Sequence, residues 1–226
     1  MRIGRVFYVG VLMALLGYTF PAAKAQQDAD RKVAGGGVTV KGWQGKADPG
    51  NRQGLTVNDS KFAPEGSNFR LTTGPAGIFW NPANTAKGDY TVKATFLEPK
   101  QSYSHPHPYG IFIGGSQLDT DTPTMLYCVA YRDGTYIVRQ FVAGKVNTIV
   151  RKTPNEKIAK ASGPEAPVTQ EVSWTVKGDR ADCSINGAVV WGATKAEVPG
   201  ASFDGITGIR VSHNSDAVVS NFALGK

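Results

Sequence analysis

No stretch of this chain longer than about eight residues carries apolar side chains at helical spacing. What recurs instead, from Val38 onward, is a short β-type run closed by Gly, Pro, Asn or Asp. The runs are Val38–Lys41, Leu55–Val57, Phe69–Thr73, Gly77–Trp80, Tyr90–Glu98, Tyr109–Gly114, Met125–Arg132, Thr135–Val142, Val146–Arg151, Glu171–Val176, Ala181–Ile185, Ala188–Trp191, Gly208–His213 and Ala217–Leu224. Tyr90, Val92, Ala94 and Phe96 alternate with Thr and Lys, and Val172, Trp174 and Val176 alternate with Ser and Thr. Alternation of this kind places one face of a strand in a core and the other in water. A chain limited to such segments buries its apolar faces by packing sheet on sheet, so the expected fold is an all-β, two-sheet antiparallel sandwich. Closure into a barrel is the alternative. Gly and polar residues on one face of several runs favour a sandwich with one open sheet face.

Two dipeptides set register. Asp133-Gly134 and Asn186-Gly187 each separate two β runs, and such pairs tolerate the positive φ angles of a two-residue type I′ hairpin. Gly178-Asp179 is a weaker third case. A two-residue loop at Asp133-Gly134 pairs Arg132 with Thr135, Val129 with Val138 and Cys128 with Arg139. That register puts Met125, Tyr127, Val129, Tyr131, Tyr136 and Val138 in the core, and Cys128, Ala130 and Arg139 on the open face. The polar segment Arg151–Thr169 reads as a surface excursion within one domain.

Residues 1–25 read as an export address. Arg2 and Arg5 precede the uncharged apolar run Val6–Phe20, and Ala23-Lys24-Ala25 offers small residues where a signal peptidase cuts. That run is shorter than the ~20 residues that span a bilayer. Residues 26–37 read as a flexible leader ending in three glycines, and 38–226 as a single sandwich domain. The expected location is therefore periplasmic or extracellular, with no membrane span. The full chain carries net charge +7 from 25 basic and 18 acidic residues. Three of the basic residues and none of the acids precede Gln26, leaving 22 against 18 and a net +4. No basic cluster interleaves with aromatics, so no nucleic-acid role is expected. The two cysteines, Cys128 and Cys183, exclude a four-cysteine zinc site. In an oxidising compartment they either pair or remain as two buried thiols.

The order Tyr109-Gly110-Ile111-Phe112-Ile113-Gly114-Gly115, Tyr127 to Tyr136, Trp174 to Val176, Ile185-Asn186-Gly187, Gly205 to Val211 and Val219-Ser220-Asn221-Phe222 resembles the concanavalin A-like jelly roll. The likeness is to exported laminin-G-like and 3-keto-disaccharide hydrolase-like domains, over Val38 to Leu224. It implies the fold and leaves the chemistry open. The three-acid strand motif of glycosidases on this fold is missing. So are the Arg-x-Glu and Gln-x-His strands of alginate-lyase-like members and the asparagine-rich calcium loop of legume lectins. No catalytic residue is carried over, and the catalytic set is left unassigned.

Candidate residues follow from side-chain chemistry. Arg139, mid-strand on the expected open face beside Cys128 and Ala130, offers a rigid fork of donors to carboxylate or vicinal hydroxyl oxygens, and Arg132 falls on the same face. Trp80 and Trp191 each end a β run and are candidates for stacking on a sugar. His105 and His107, alternating with prolines in Ser104-His-Pro-His-Pro108, form a stiff loop that could contact a ligand. They lack the third ligand of a transition-metal site, since His213 stands at the end of a distant strand. No metal site and no cofactor are therefore expected, apart from weak calcium candidates in Asp119 and Asp121. The expected function is a non-catalytic exported domain binding a glycan or other cell-surface ligand on the concave sheet face. The alternatives are a hydrolase of sugar derivatives, with the His105/His107 loop as its chemistry, and a protein-interaction domain. Oligomeric state is not legible.

Overall fold

The structure is a computed structural model, and residues 29–49 and 54–226 are described. The signal-peptide reading therefore lies outside the described residues. Among the described residues, fifteen strands form two sheets. In chain order they are β1 (Gly37–Val38), β2 (Gln44–Ala47), β3 (Lys61–Glu65), β4 (Asn68–Thr72), β5 (Gly77–Ala86), β6 (Tyr90–Glu98), β7 (Tyr109–Ser116) and β8 (Thr124–Ala130). The remainder are β9 (Thr135–Val142), β10 (Lys145–Pro154), β11 (Val168–Lys177), β12 (Arg180–Ile185), β13 (Ala188–Thr194), β14 (Gly205–Val211) and β15 (Asp216–Gly225). One sheet runs β1-β3-β4-β15-β6-β11-β12-β13 and the other β10-β9-β8-β7-β14-β5-β2. Every pairing is antiparallel except β1 with β3.

Alternating strands behave as their pattern dictates. Tyr90, Val92, Ala94 and Phe96 of β6 are buried, and β11 sets Val172 against Ala94 and Trp174 against Val92. Trp174 is fully buried, and its indole N–H donates to the Ile111 carbonyl of the opposite sheet at 3.0 Å. A buried Trp thus keeps its hydrogen bond while contributing its large apolar area. The centre of the seven-stranded sheet is different. Strands β7 and β8 are buried on both faces, with Ile111, Ile113, Leu126 and Cys128 turned to the core between the sheets.

Two strands escape a sequence reading. Gln44–Ala47 has no apolar alternation, and Lys61–Glu65 holds Pro64, which argues against a strand. Both are fixed by aromatic packing. Phe62 lies 5.3 Å from Trp43 and 5.1 Å from Phe79, and Trp43 lies 5.1 Å from Phe222. The expected strand at Leu55–Val57 is instead a loop entering a 3-10 turn, Val57–Asp59, closed by a capping box in which Thr56 N–H donates to Asp59 at 2.8 Å. The stretch read as a flexible leader is tied down from Ala29 onward. Arg31 donates to Thr73 O and Ser215 O at 2.9 Å each, and Gly37 N–H donates to Ser60 O.

The Asp133-Gly134 hairpin corrects the expected register. Its last pair is Ala130 with Tyr136, followed by Val129 with Ile137, Cys128 with Val138 and Tyr127 with Arg139. Gly134 has φ +84°, and Asp133 is not among the residues with positive φ, so the type I′ geometry is absent. Gly134 N–H donates to Tyr131 O and Tyr131 N–H to Thr135 O, a β-turn followed by a left-handed glycine around a three-residue loop. One extra loop residue reverses the faces expected of β8 and keeps those of β9. Cys128 therefore faces the core, where it forms a disulfide with Cys183 of β12, joining the two sheets.

Candidate functional site

Directly paired residues lie on one face of a sheet, so register alone assembles the outer side of the seven-stranded sheet. One row crosses all seven strands: Thr148, Arg139, Tyr127, Phe112, Gly208, Trp80 and Gln44. The adjacent row is Ile137, Val129, Gly110, Arg210, Ile78 and Lys46. Phe112, Met125, Tyr127, Val129, Ile137, Phe141 and Trp80 pack there into a second apolar cluster, separate from the core between the sheets. The Phe112 ring lies over Gly208, where a Cβ would stand 2.7 Å from it, so only glycine admits the ring.

Two guanidiniums enter this apolar surface. Arg210 is held by a bidentate pair with Asp48, Nη2 to Oδ2 being 2.6 Å, and stands 5.2 Å from the Tyr127 ring centre and 5.6 Å from that of Phe141. Burial alone would lower its pKa, and the neighbouring Asp48 and Tyr127 reverse that, so it stays charged. Arg139 is half-buried, and its Nε is buried with no hydrogen-bond partner among the described residues. Burial pushes the nearby Tyr131 phenol up to about 12, against the pull of Arg139. At the β2 edge of the sheet lies a cleft of about 440 Å³, lined by Lys46, Asp48, Leu55, Thr56 and Asp121.

The six candidates from sequence fall in four places. Arg139 and Trp80 share the outer row, though Trp80 is buried within it and not exposed. Arg132 is not on that face. It is 2% exposed and donates to Glu98 at 3.1 Å, to Gly163 O at 2.9 Å and to Ala166 O, tying the 151–169 excursion to the body. Burial raises the Glu98 pKa despite Arg132. Trp191 is half-buried on the eight-stranded sheet, edge-on to Trp174 at 5.9 Å. The calcium candidates are engaged by a lysine: Lys46 Nζ donates to Asp121 Oδ1 and to Asp119 O at 3.0 Å each, supplying the positive charge a cation would bring.

His105 and His107 end up with His213, against the expectation from sequence. The loop between β6 and β7 and the turn between β14 and β15 meet at one end of the sandwich, where Ser212 N–H donates to Pro108 O at 2.9 Å. Ring centres are 4.4 Å apart for His105 and His107 and 4.4 Å for His107 and His213. Among the described residues these three form a group able to hold a metal ion, each offering one ligand atom within 4.8 Å of the others. No spacing rule could have found His213, because tertiary contacts alone bring it to the loop.

The chain matches no protein-family profile and no curated protein sequence. Solved structures do match. The carbohydrate binding module CBM66 from Bacillus subtilis has a TM-score of 0.57 and 10% identity, over 84% of this chain and 99% of that one. A Bacillus subtilis protein of unknown function with a galectin-like fold also has a TM-score of 0.57, with 13% identity over 82% of this chain and 90% of that one. At such identities the likeness is one of fold, and with the two antiparallel-dominated sheets it establishes a jelly-roll sandwich of the concanavalin A-like, galectin-like kind.

Proposed function

We propose that the protein is an exported, non-catalytic carbohydrate-binding domain whose ligand lies along the outer face of the seven-stranded sheet. The observation that carries the reading is the Arg139 Nε, a buried donor without a partner among the described residues, set beside Tyr127 on an apolar, aromatic surface. Leaving such a donor unmet costs roughly 1–3 kcal/mol, which a ligand oxygen would recover. A sugar hydroxyl would complement the Arg139 guanidinium, while Phe112, Tyr127 and Trp80, buried beside it, form the apolar floor of the face. The name of the CBM66 structure points the same way. Neither row contains an acid, whereas glycoside hydrolysis uses a carboxyl pair, so binding is favoured over turnover. Among the described residues no helix is long and apolar enough to cross a membrane, and the Cys128–Cys183 disulfide suits an oxidising compartment.

The test is a glycan array followed by calorimetry on the hit. Arg139→Ala is expected to weaken binding by about 1.5–3 kcal/mol, the range for a charge-assisted hydrogen bond, with little loss of fold stability. Unchanged affinity in Arg139→Ala would remove this face as the site. Turnover of the bound glycan would replace binding by catalysis.

A further inference from the structure

We propose that His105, His107 and His213 form a binding site for a divalent transition-metal ion of the zinc, cobalt, nickel and copper class. This does not rest on the carbohydrate reading, since the cluster lies in loops at the end of the sandwich and not on the two rows of the outer sheet face. Imidazole nitrogen is the ligand these ions share. Three histidines with an open fourth position are a recurrent zinc arrangement. Their candidate ligand atoms lie within 4.8 Å of one another. In a tetrahedral site with metal–nitrogen bonds of ~2.0–2.1 Å those atoms stand about 3.4 Å apart, so modest side-chain rotation closes the set.

The surroundings have the form of a built site. His213 Nδ1 lies 2.7 Å from Asp30 Oδ1. A carboxylate on one ring nitrogen fixes the tautomer that turns the other nitrogen toward a metal and raises its basicity. Asp30 is itself placed by its neighbours: Arg31 N–H donates to Asn214 Oδ1 at 2.9 Å, and Asn214 Nδ2 donates to Ala29 O at 3.0 Å. Asn214 is fully buried, next to His213. On the other side Ser102 Oγ donates to Asn214 O, and Pro106 and Pro108 restrict the backbone on both sides of His107. Chain segments up to 185 residues apart are thus fastened together around three imidazoles. His107 is 4% exposed and His105 is exposed, so the ion would be held from below and reached from solvent.

The experiment uses the purified full chain without a polyhistidine tag, titrated with Co²⁺ and followed by visible absorption, then back-titrated with Zn²⁺. The expected result is one Co²⁺ per chain with the intense d–d bands of a four-coordinate ion, displaced by one equivalent of Zn²⁺. Both cysteines are in the disulfide, so no thiolate charge-transfer band should accompany them. His105→Ala, at an exposed position, should abolish the bands without disturbing the fold, and His107→Ala and His213→Ala should do the same. Asp30→Asn should keep the bands and lower affinity ~10–100-fold, the range for outer-shell partners of a metal-bound histidine. Absence of a 1:1 Co²⁺ complex in the wild-type chain overturns the proposal. So does a complex of equal affinity in the folded His105→Ala variant.

Discussion

The two hairpins marked by Asp133-Gly134 and Asn186-Gly187 carry the same sequence signal and fold differently. At Asn186-Gly187 the pair Ile185 with Ala188 closes a two-residue loop, and both central residues have positive φ, +52° and +81°. At Asp133-Gly134 only the glycine does, and the loop takes three residues. The difference lies in what flanks each dipeptide. Asn186 fastens its turn to the neighbouring strand β11: its Oδ1 accepts from Glu171 N–H at 2.9 Å, and its Nδ2 donates to Gln170 at 2.7 Å. Arg132 is held in the buried pair with Glu98 at the end of the opposite sheet. Asp133 accepts from Thr135 and Lys152 and bridges to Lys160. A turn dipeptide thus states its preference, and an anchored neighbour can override it.

The largest effect that would break this comparison is expected from Arg132→Ala. Removing one partner of a buried ion pair costs ~3–5 kcal/mol, and the loop 155–167 would lose its anchor as well. Denaturant unfolding reads the cost, and a loss below about 1 kcal/mol would show that Arg132 does not hold the turn. The next concerns the disulfide that ties the first hairpin to the second. Its closed loop spans a separation of 55 residues, so the Cys128→Ala/Cys183→Ala double variant should lose ~4 kcal/mol in the chain-entropy model. Two free thiols in the denatured, unreduced wild-type chain would show that the Cys128–Cys183 bond does not form.

The smallest effect separates the turns directly. Asn186→Ala forces a residue with a Cβ into the left-handed region, at ~1–2 kcal/mol, and loses the bonds to β11. Asp133→Ala forfeits mainly the partly exposed pair with Lys152, worth less than about 1 kcal/mol. Its signature is in pH. Partial burial pushes the Asp133 carboxyl up, but Lys152 and Thr135 outweigh it and hold the pKa below the usual carboxylate value. A depressed carboxylate contributes stability that is present above its unfolded pKa and lost as pH falls through the folded one. Thermal melts below pH ~4 should therefore converge for wild type and Asp133→Asn, after differing at pH 6. Equal separation at both pH values would deny the ion pair a role in the turn.

Alternation carried the reading as far as half-buried strands go. Strands β6 and β11, the Asn186-Gly187 turn and the inward Trp174 are legible because one face of each strand meets water and the other meets core. Strand β8 offers no such contrast. Six of its seven residues are buried, so the face of Cys128 and the face of Tyr127 look alike in sequence, and the Asp133-Gly134 turn signal points to the wrong one. Of the outer face, Arg139 was legible as a mid-strand guanidinium among apolar neighbours. Arg210 was not, because what marks it is Asp48 from the far edge of the sheet.

The chain by itself determined that this protein is a two-sheet sandwich, since its apolar residues recur at the spacing of strands and never hold that of a helix. Only the tertiary structure decided which face of the central strands meets the core, where Arg132 is anchored, and that three histidines meet at one end. Those outcomes rest on contacts between residues 31 to 183 positions apart. Periodicity and turn chemistry act over a few residues and cannot encode which distant segments share a corner of the fold.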